Sequence, residues 1–315
     1  LKNILGILKV KNSQCTCCGS KSIKKLAPYG KYDHYKCEDC GYEHFYTSVS
    51  EAVAKLYEND SDYEDDLNVA KTYRDYILWH HAIAIKFLKD RFKTKRPSVL
   101  DVGCFNGFFV KELLSLGFDA HGIDFNKKAV SYGQVNFGLA SSISTTTVES
   151  IIARGDRFDV ITLFEVLKHL PEVQPFLVNI MKLLKEDGII IISTPNNNMC
   201  WRPPLDSPPH HLSRFTIRSL NACLAEFNME ILHSAEQMST YELVRHFMGV
   251  FFFRAKDRNS LRGGKFGYKK LSTSLRRTLN SLRKISNVFL APFDKIFYKL
   301  GFRYISQILI CRKMK

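Results

Sequence analysis

The chain has 315 residues, of which 45% are apolar and 24% charged, a balance that excludes a wholly disordered or collagen-like polymer. No apolar run reaches the about 18–20 residues that span a bilayer, and the opening residues lack the long apolar core of a cleaved secretory signal. The net charge of +15 is concentrated: residues 245–315 carry 18 Lys and Arg against two acids, whereas the first 244 hold 28 basic and 29 acidic side chains. A near-neutral body therefore carries a basic final quarter, where nucleic acid, acidic lipid headgroups or a phosphorylated substrate would be met.

Five of the nine cysteines lie between Cys15 and Cys40. Cys15-x2-Cys18-Gly and Cys37-x2-Cys40-Gly form two knuckles at the spacing of a four-thiolate zinc site. Gly19 and Gly41 permit the tight turn behind each knuckle. Two surface disulfides are the competing reading, and Cys17 either replaces a neighbouring ligand or stays free. The remaining cysteines are scattered singly, which fits a reducing compartment better than a disulfide scaffold. A segment this short builds little core, so a structural Zn2+ is a physically sensible staple.

Residues 48–66 are acidic and polar and read as a linker. Helical periodicity runs from Leu67 to Phe92. Strands and helices then alternate: strand 98–103, helix 107–117, strand 119–124, helix 126–138, strand 142–148, strand 158–164, helix 173–188 and strand 189–194. Short apolar strands separated by helices indicate βαβ units, hence an α/β, Rossmann-like doubly wound and mostly parallel sheet. A helix over 217–226, a sixth strand ending in 233–240 and a seventh over 304–312 complete the pattern.

The stretch Val99-Leu100-Asp101-Val102-Gly103-Cys104-Phe105-Asn106-Gly107 ends a strand in an acid, turns through two glycines and opens a helix. That layout presents backbone N–H groups to a small ligand. The glycines are four apart with no third, unlike the dinucleotide fingerprint, and the acid suits a cofactor with a cationic end. Asp124 closes the next strand, where an acid takes ribose hydroxyls.

VLDVGCFNGFF, GID, FDVITLFEVLKHL and LLKEDGIIIISTPN, in this order, resemble the motifs of class I S-adenosylmethionine-dependent methyltransferases. The resemblance covers about residues 70–235 and is closest to the branch acting on small molecules and glycans, some of whose members carry an N-terminal four-cysteine zinc module. It implies S-adenosylmethionine as cofactor. Asp101 and Gly103, with Cys104, Phe105, Asn106 and Gly107, would shape the loop around the methionine moiety. Asp124 would hold the ribose, Phe125 flank the adenine, Thr147 and Val148 meet the adenine edge, and Phe164 and Glu165 close the fourth strand below the methionine end. Two positions depart from the family: glycine is usual where Phe105 stands, and an acid is common where Lys168 stands.

Methyl transfer needs an aligned acceptor and, for a hydroxyl, a base. The proline-rich loop 202–216 offers His211 first and His210 second, and the family often has a His before the Phe-Thr pair found here as Phe215-Thr216. Packing or capping of the next helix is the bland alternative for either histidine. His169 reads as a structural or cofactor-side residue, and His80 and His81 as surface or pocket-rim residues.

The resulting organisation is a zinc-ribbon-like module over 1–47, a linker over 48–66, a methyltransferase domain over 67–240 and 304–315, and a basic helical insertion over 241–303. Within the insertion, Leu271, Leu275, Leu279, Leu282, Ile285 and Phe289 recur at helical spacing among basic residues. That pattern suits an anionic membrane surface or a helix packed on the enzyme itself, and RNA is a third partner. Three functions compete. One is a methyltransferase of a sugar or lipid-linked glycan, cytoplasmic and peripheral at the inner membrane face. Another is an RNA or protein methyltransferase docking through the zinc module and tail; nucleic acid is disfavoured because the fourth strand lacks an Asn/Asp-Pro-Pro-aromatic end and no Pro-Cys follows the fifth. The last is a non-catalytic zinc-containing adaptor.

Overall fold

The computed structural model describes residues 14–46, 77–199, 202, 206–238, 240, 289–290, 292–301 and 306–314. The linker read at 48–66 and nearly all of the 271–289 helix lie outside them. The chain divides into two compact units, one of Leu1–Asn197, Trp201–Glu236 and Ser306–Lys315, the other of Asn198–Cys200 and Gln237–Ile305.

In the first unit, a seven-stranded sheet is built from β4 (Ser98–Val102), β5 (Asp119–Ile123), β6 (Ile143–Ser144), β7 (Phe158–Phe164), β8 (Leu184–Pro195), β10 (Met229–Glu236) and β11 (Ser306–Lys313), in the order β10-β11-β8-β7-β4-β5-β6. Pairings from β8 to β6 are parallel, while β11 runs antiparallel to both β8 and β10. Helices α1 (Trp79–Arg91), α2 (Phe108–Ser115), α3 (Lys127–Phe137), α4 (Val148–Arg154), α5 (Val173–Leu183) and α6 (Ile217–Leu224) flank it.

The strand sequences explain the layering. Successive side chains point to opposite faces, so strands covered on both sides must be apolar throughout. Val99, Val160, Ile189, Ile191, Ile308 and Ile310 join one core with α1 and α2 residues such as Leu88, Phe109 and Leu113. Leu100, Ile161, Leu163, Ile190, Ile192 and Leu309 join the other with Leu177, Ile180 and Leu220.

The third strand is shorter than expected. Only Ile143–Ser144 pair with β5, and Thr147 caps the N-terminus of α4 by accepting the Ser150 N–H at 3.2 Å. A run of threonines has β propensity, but here the last hydroxyl is used as a helix cap.

The cysteine-rich segment forms β1 (Ile23–Tyr29), β2 (Tyr32–Cys37) and β3 (Glu43–Tyr46). This antiparallel sheet takes its fourth strand from far along the chain, β9 (Ser213–Arg214), with Glu43 opposite Arg214 and His44 opposite Ser213. Cys15, Cys17, Cys37, Cys40 and Tyr42 belong to the same apolar core as α5 and α6, and the Tyr42 ring lies 5.2 Å from that of Phe215. The module is thus packed into the enzyme body at the loop that carries the histidines.

Candidate functional site

The glycine-rich loop follows β4. The Asp101 carboxylate is buried and accepts the Thr162 hydroxyl at 2.6 Å. Burial pushes its pKa up to about 7, against the Thr162 hydrogen bond and with the Asp124 charge adding to the rise. Gly103, Phe105 and Gly107 all have positive φ, at 80°, 51° and 74°. A Cβ on Gly103 would stand 2.5 Å from Val166 Cγ2, so that glycine is required by space as well as by backbone. Gly133 on α3 lets the Asn106 carbonyl approach, since a Cβ there would lie 2.0 Å from its oxygen.

Phe105 stands where the family prefers glycine because the backbone is left-handed there. Asp124 holds it by accepting the Phe105 N–H at 2.8 Å on one oxygen and the Asn126 N–H at 2.8 Å on the other. Burial raises the Asp124 pKa, opposed by these two backbone hydrogen bonds. Cys104 turns its side chain inward against Gly122, so it offers the loop only its backbone. Phe125 is 59% exposed beside Asp124, as a ring that flanks a planar base would be. Val148, expected at the adenine edge, is buried in the core as the first residue of α4, behind the Thr147 cap.

Phe164 ends β7 and Glu165 follows it. The Phe164 ring packs 5.0 Å from His80, 4.8 Å from His81 and 4.9 Å from Phe109. The expectation of a surface or rim is therefore corrected for His80, which α1 buries against the sheet and whose pKa burial holds down at about 4, whereas His81 stays half-buried beside it. Glu165, with φ 61°, pairs with Lys168 at 2.9 Å and accepts the Ser193 and Ser306 hydroxyls at 3.2 and 3.3 Å. Burial opposes its ionisation, yet the nearby Lys168 and His80 hold its pKa at about 2. The lysine at the departing position is thus the counterion of Glu165.

The histidine loop is stitched to the turn after β7. Leu212 N–H donates to the Lys168 carbonyl at 2.7 Å and the Ser213 hydroxyl to the Leu167 carbonyl at 3.1 Å. His169 Nδ1 lies 2.7 Å from the His210 carbonyl, and its ring is 5.2 Å from that of His211. His211 Nδ1 lies 2.8 Å from Asp206 Oδ1, and Asp206 is only 2% exposed. Arg202 meets Asp206 Oδ2 at 2.7 Å, while Arg214 donates to the Asp206 carbonyl at 2.7 Å. Burial first and Lys168 second lower the His211 pKa to about 4, with Asp206 opposing. The structure therefore places His211 against Asp206 and His169, within electrostatic reach of Lys168 and Glu165, whereas His210 contributes its carbonyl to the turn. Asp206 and Arg214 went unread in the sequence, where only the loop's prolines and histidines stood out.

The four knuckle thiols converge. Cys15 and Cys40 sulfurs are 3.7 Å apart, those of Cys18 and Cys37 are 3.6 Å apart, and all four lie within 4.8 Å of one another. Tetrahedral zinc with bonds of about 2.3 Å has sulfur–sulfur edges of about 3.8 Å, so the donor set fits that ion. The mutual hydrogen bond of the Cys15 and Cys40 thiols lowers the pKa of Cys15 and raises that of Cys40, so that the pair holds one proton between its two sulfurs. Cys17 is neither ligand nor free thiol: it is disulfide-bonded to Cys223 of α6, with Cα atoms 4.2 Å apart. Residue spacing alone cannot show that α6 passes beside the first knuckle.

A family defined as a methyltransferase domain matches residues 74–234, half of the sequence, and the chain belongs to it. Among curated relatives, the ubiquinone biosynthesis O-methyltransferase of Cereibacter sphaeroides (strain KD131 / KCTC 12085) is 33% identical over 103 residues, 32% of this chain and 42% of that protein. The protein of the same name from Rickettsia typhi (strain ATCC VR-144 / Wilmington) is 34% identical over 124 residues, 36% of this chain and 49% of its own. The chain thus spans less than half the length of either relative. Among solved structures, magnesium protoporphyrin IX methyltransferase from Synechocystis PCC 6803 with bound SAH matches 83% of this chain and 98% of its own at 13% identity and a TM-score of 0.50, a likeness of fold. Among the described residues, no helix is long and apolar enough to cross a membrane.

Proposed function

We propose that the enzyme methylates a hydroxyl of a small acceptor, with His211 as the general base. The observation carrying this reading is the Asp206–His211 pair at 2.8 Å, on a loop hydrogen-bonded to the turn that follows β7, at the carboxyl end of a parallel strand, where ligands of open α/β sheets bind. With Nδ1 engaged by a carboxylate, the imidazole carries its proton on that nitrogen and leaves Nε2 as acceptor. Its low pKa keeps it neutral, and so able to take a proton, at ordinary pH.

S-adenosylmethionine supplies a methyl group activated by a sulfonium. Asp124 is assigned to its ribose, Phe125 to its adenine, and Asp101 with the Gly103–Gly107 turn to its methionine end. Glu165 adds negative charge beside the same end. The four cysteines are assigned to one structural zinc ion.

For the acceptor, the sequence favours a sugar or lipid-linked glycan. The relatives are named for O-methylation in ubiquinone biosynthesis, which supports a hydroxyl and adds intermediates of that route to the candidates. Purified enzyme incubated with labelled S-adenosylmethionine and both acceptor sets tests the reading. Label transferred only to amines or carbon centres would overturn it.

A second reading concerns location. In the second unit the helical residues 292–299 and their flanks leave Phe289, Phe293, Ile296 and Leu300 exposed at helical spacing, with Lys295 and Lys299 between them. An apolar stripe inside a basic segment supports binding to an anionic membrane surface. Co-sedimentation with anionic vesicles, weakened by salt and by Phe293→Glu, is expected, and equal recovery with neutral vesicles would remove the electrostatic part.

A further inference from the structure

Glu43 and Arg214 are the paired residues of the β3–β9 ladder, 171 positions apart, and both are buried. Arg214 Nη1 lies 3.4 Å from Glu43 Oε2, Nε lies 3.6 Å from Asp206 Oδ2, and Nη2 donates to the Asp206 carbonyl at 2.7 Å. The guanidinium also rests 4.7 Å above the Phe45 ring, and the Phe45 N–H donates to the Leu212 carbonyl at 2.8 Å. Glu43 is itself held from behind by His34 at 3.1 Å and Lys36 at 3.3 Å.

A buried ion network is a poor way merely to join a sheet edge, because well-packed apolar residues do that without desolvating charges. What charges add is direction. The rigid guanidinium fork has one arm on the cysteine-rich module and another on the loop. Asp206 receives Arg202 on Oδ2, which leaves Oδ1 to His211. Without the Glu43 carboxylate, Arg214 would keep a single buried counterion, Asp206, and would be drawn onto its carboxylate in competition with His211.

We propose that Glu43 is a positioning residue: acting through Arg214 and Asp206, the cysteine-rich module sets the tautomer and rotation of His211. The inference rests on His211 being the base, and its test separates the two. Glu43→Gln preserves shape and removes the charge. Metal content and melting temperature check that the module stays assembled, and Arg214→Lys, which keeps a charge but loses the fork, reads the same relay from the side remote from the cysteines.

Nitrogen-15 spectra of histidine-labelled full-length enzyme, with the His211 signals assigned through His211→Gln, report which ring nitrogen carries the proton. The wild type is expected to show Nδ1–H, and both variants a mixture of tautomers. The kcat should fall about tenfold to a hundredfold, as for residues that orient a reacting group from behind, with KM for S-adenosylmethionine unchanged. An unchanged tautomer in both variants overturns the proposal, whatever happens to the rate. If the tautomer shifts but His211→Gln keeps the wild-type rate, the coupling stands and the base assignment falls.

Discussion

The backbone N–H of Phe105 donates to the carboxylate of Asp124 at 2.8 Å, tying the left-handed turn after one parallel strand to the end of its neighbour. The acid proposed for the ribose is therefore also the clamp that keeps the loop in its strained conformation. Asp124→Ala should weaken S-adenosylmethionine binding by about 1.5–3 kcal/mol, the range for hydrogen bonds to a charged group. Asp124→Asn, which keeps one acceptor oxygen, should lose less. Calorimetry showing equal affinity in all three proteins would mean that the ribose lies elsewhere.

Cofactor binding should depend on pH through Asp101. Burial raises its pKa to about 7, so near neutrality a share of molecules carries it protonated. A cationic ligand end favours the ionised form, so affinity should rise as pH increases from about 6 to about 8, with proton release on binding. The heat of binding should vary with the ionisation enthalpy of the buffer. Asp101→Asn should flatten both effects; a pH-independent affinity in the wild type would refute the assignment.

Lys168 should set the acid limb of the rate. His211 is lowered to about 4 by burial first and by the Lys168 charge second. Lys168→Met removes that charge and leaves Glu165 without its 2.9 Å partner, and both changes favour the imidazolium. The His211 pKa should rise, so the loss of rate on acidification should begin at higher pH than in the wild type. Superimposable kcat profiles would show that His211 does not carry the proton.

Removal of the metal should reach the histidine loop. The sheet of the knuckle segment includes β9, and Tyr42 packs on Phe215. Chelation is expected to unfold β1–β3 and, with them, to raise amide exchange at Leu212–Arg214, while β4 and β7 stay protected. Exchange at Leu212–Arg214 unchanged after complete zinc loss would show that the loop is held by the main sheet alone.

Much of the architecture was legible before any coordinates. The βαβ alternation, the two Cys-x2-Cys-Gly knuckles, and the acid and glycines after the first strand are local patterns. A strand covered on both faces is an unbroken apolar run, a knuckle needs one tight turn, and a loop that must present N–H groups needs positive φ at particular places. Even the departure at Phe105 could be located from the sequence. Its consequence could not, because the compensating acceptor, Asp124, sits on another strand.

The histidines show the limit most plainly. His80 and His81 look like polar residues on a helix edge, and only the docking of α1 on the sheet buries His80 and brings both rings against Phe164. Cys17 looks like a spare ligand until α6 delivers Cys223 to it. By itself the sequence determined the strand–helix alternation, the glycine-rich turn after the first parallel strand and the cysteine cluster, because short-range spacing and periodicity dictate each of them. Only the tertiary structure decided that Glu43, Arg214, Asp206 and His211 form one chain of contacts, since cross-strand register and core packing join segments whose separation along the chain carries no local signal.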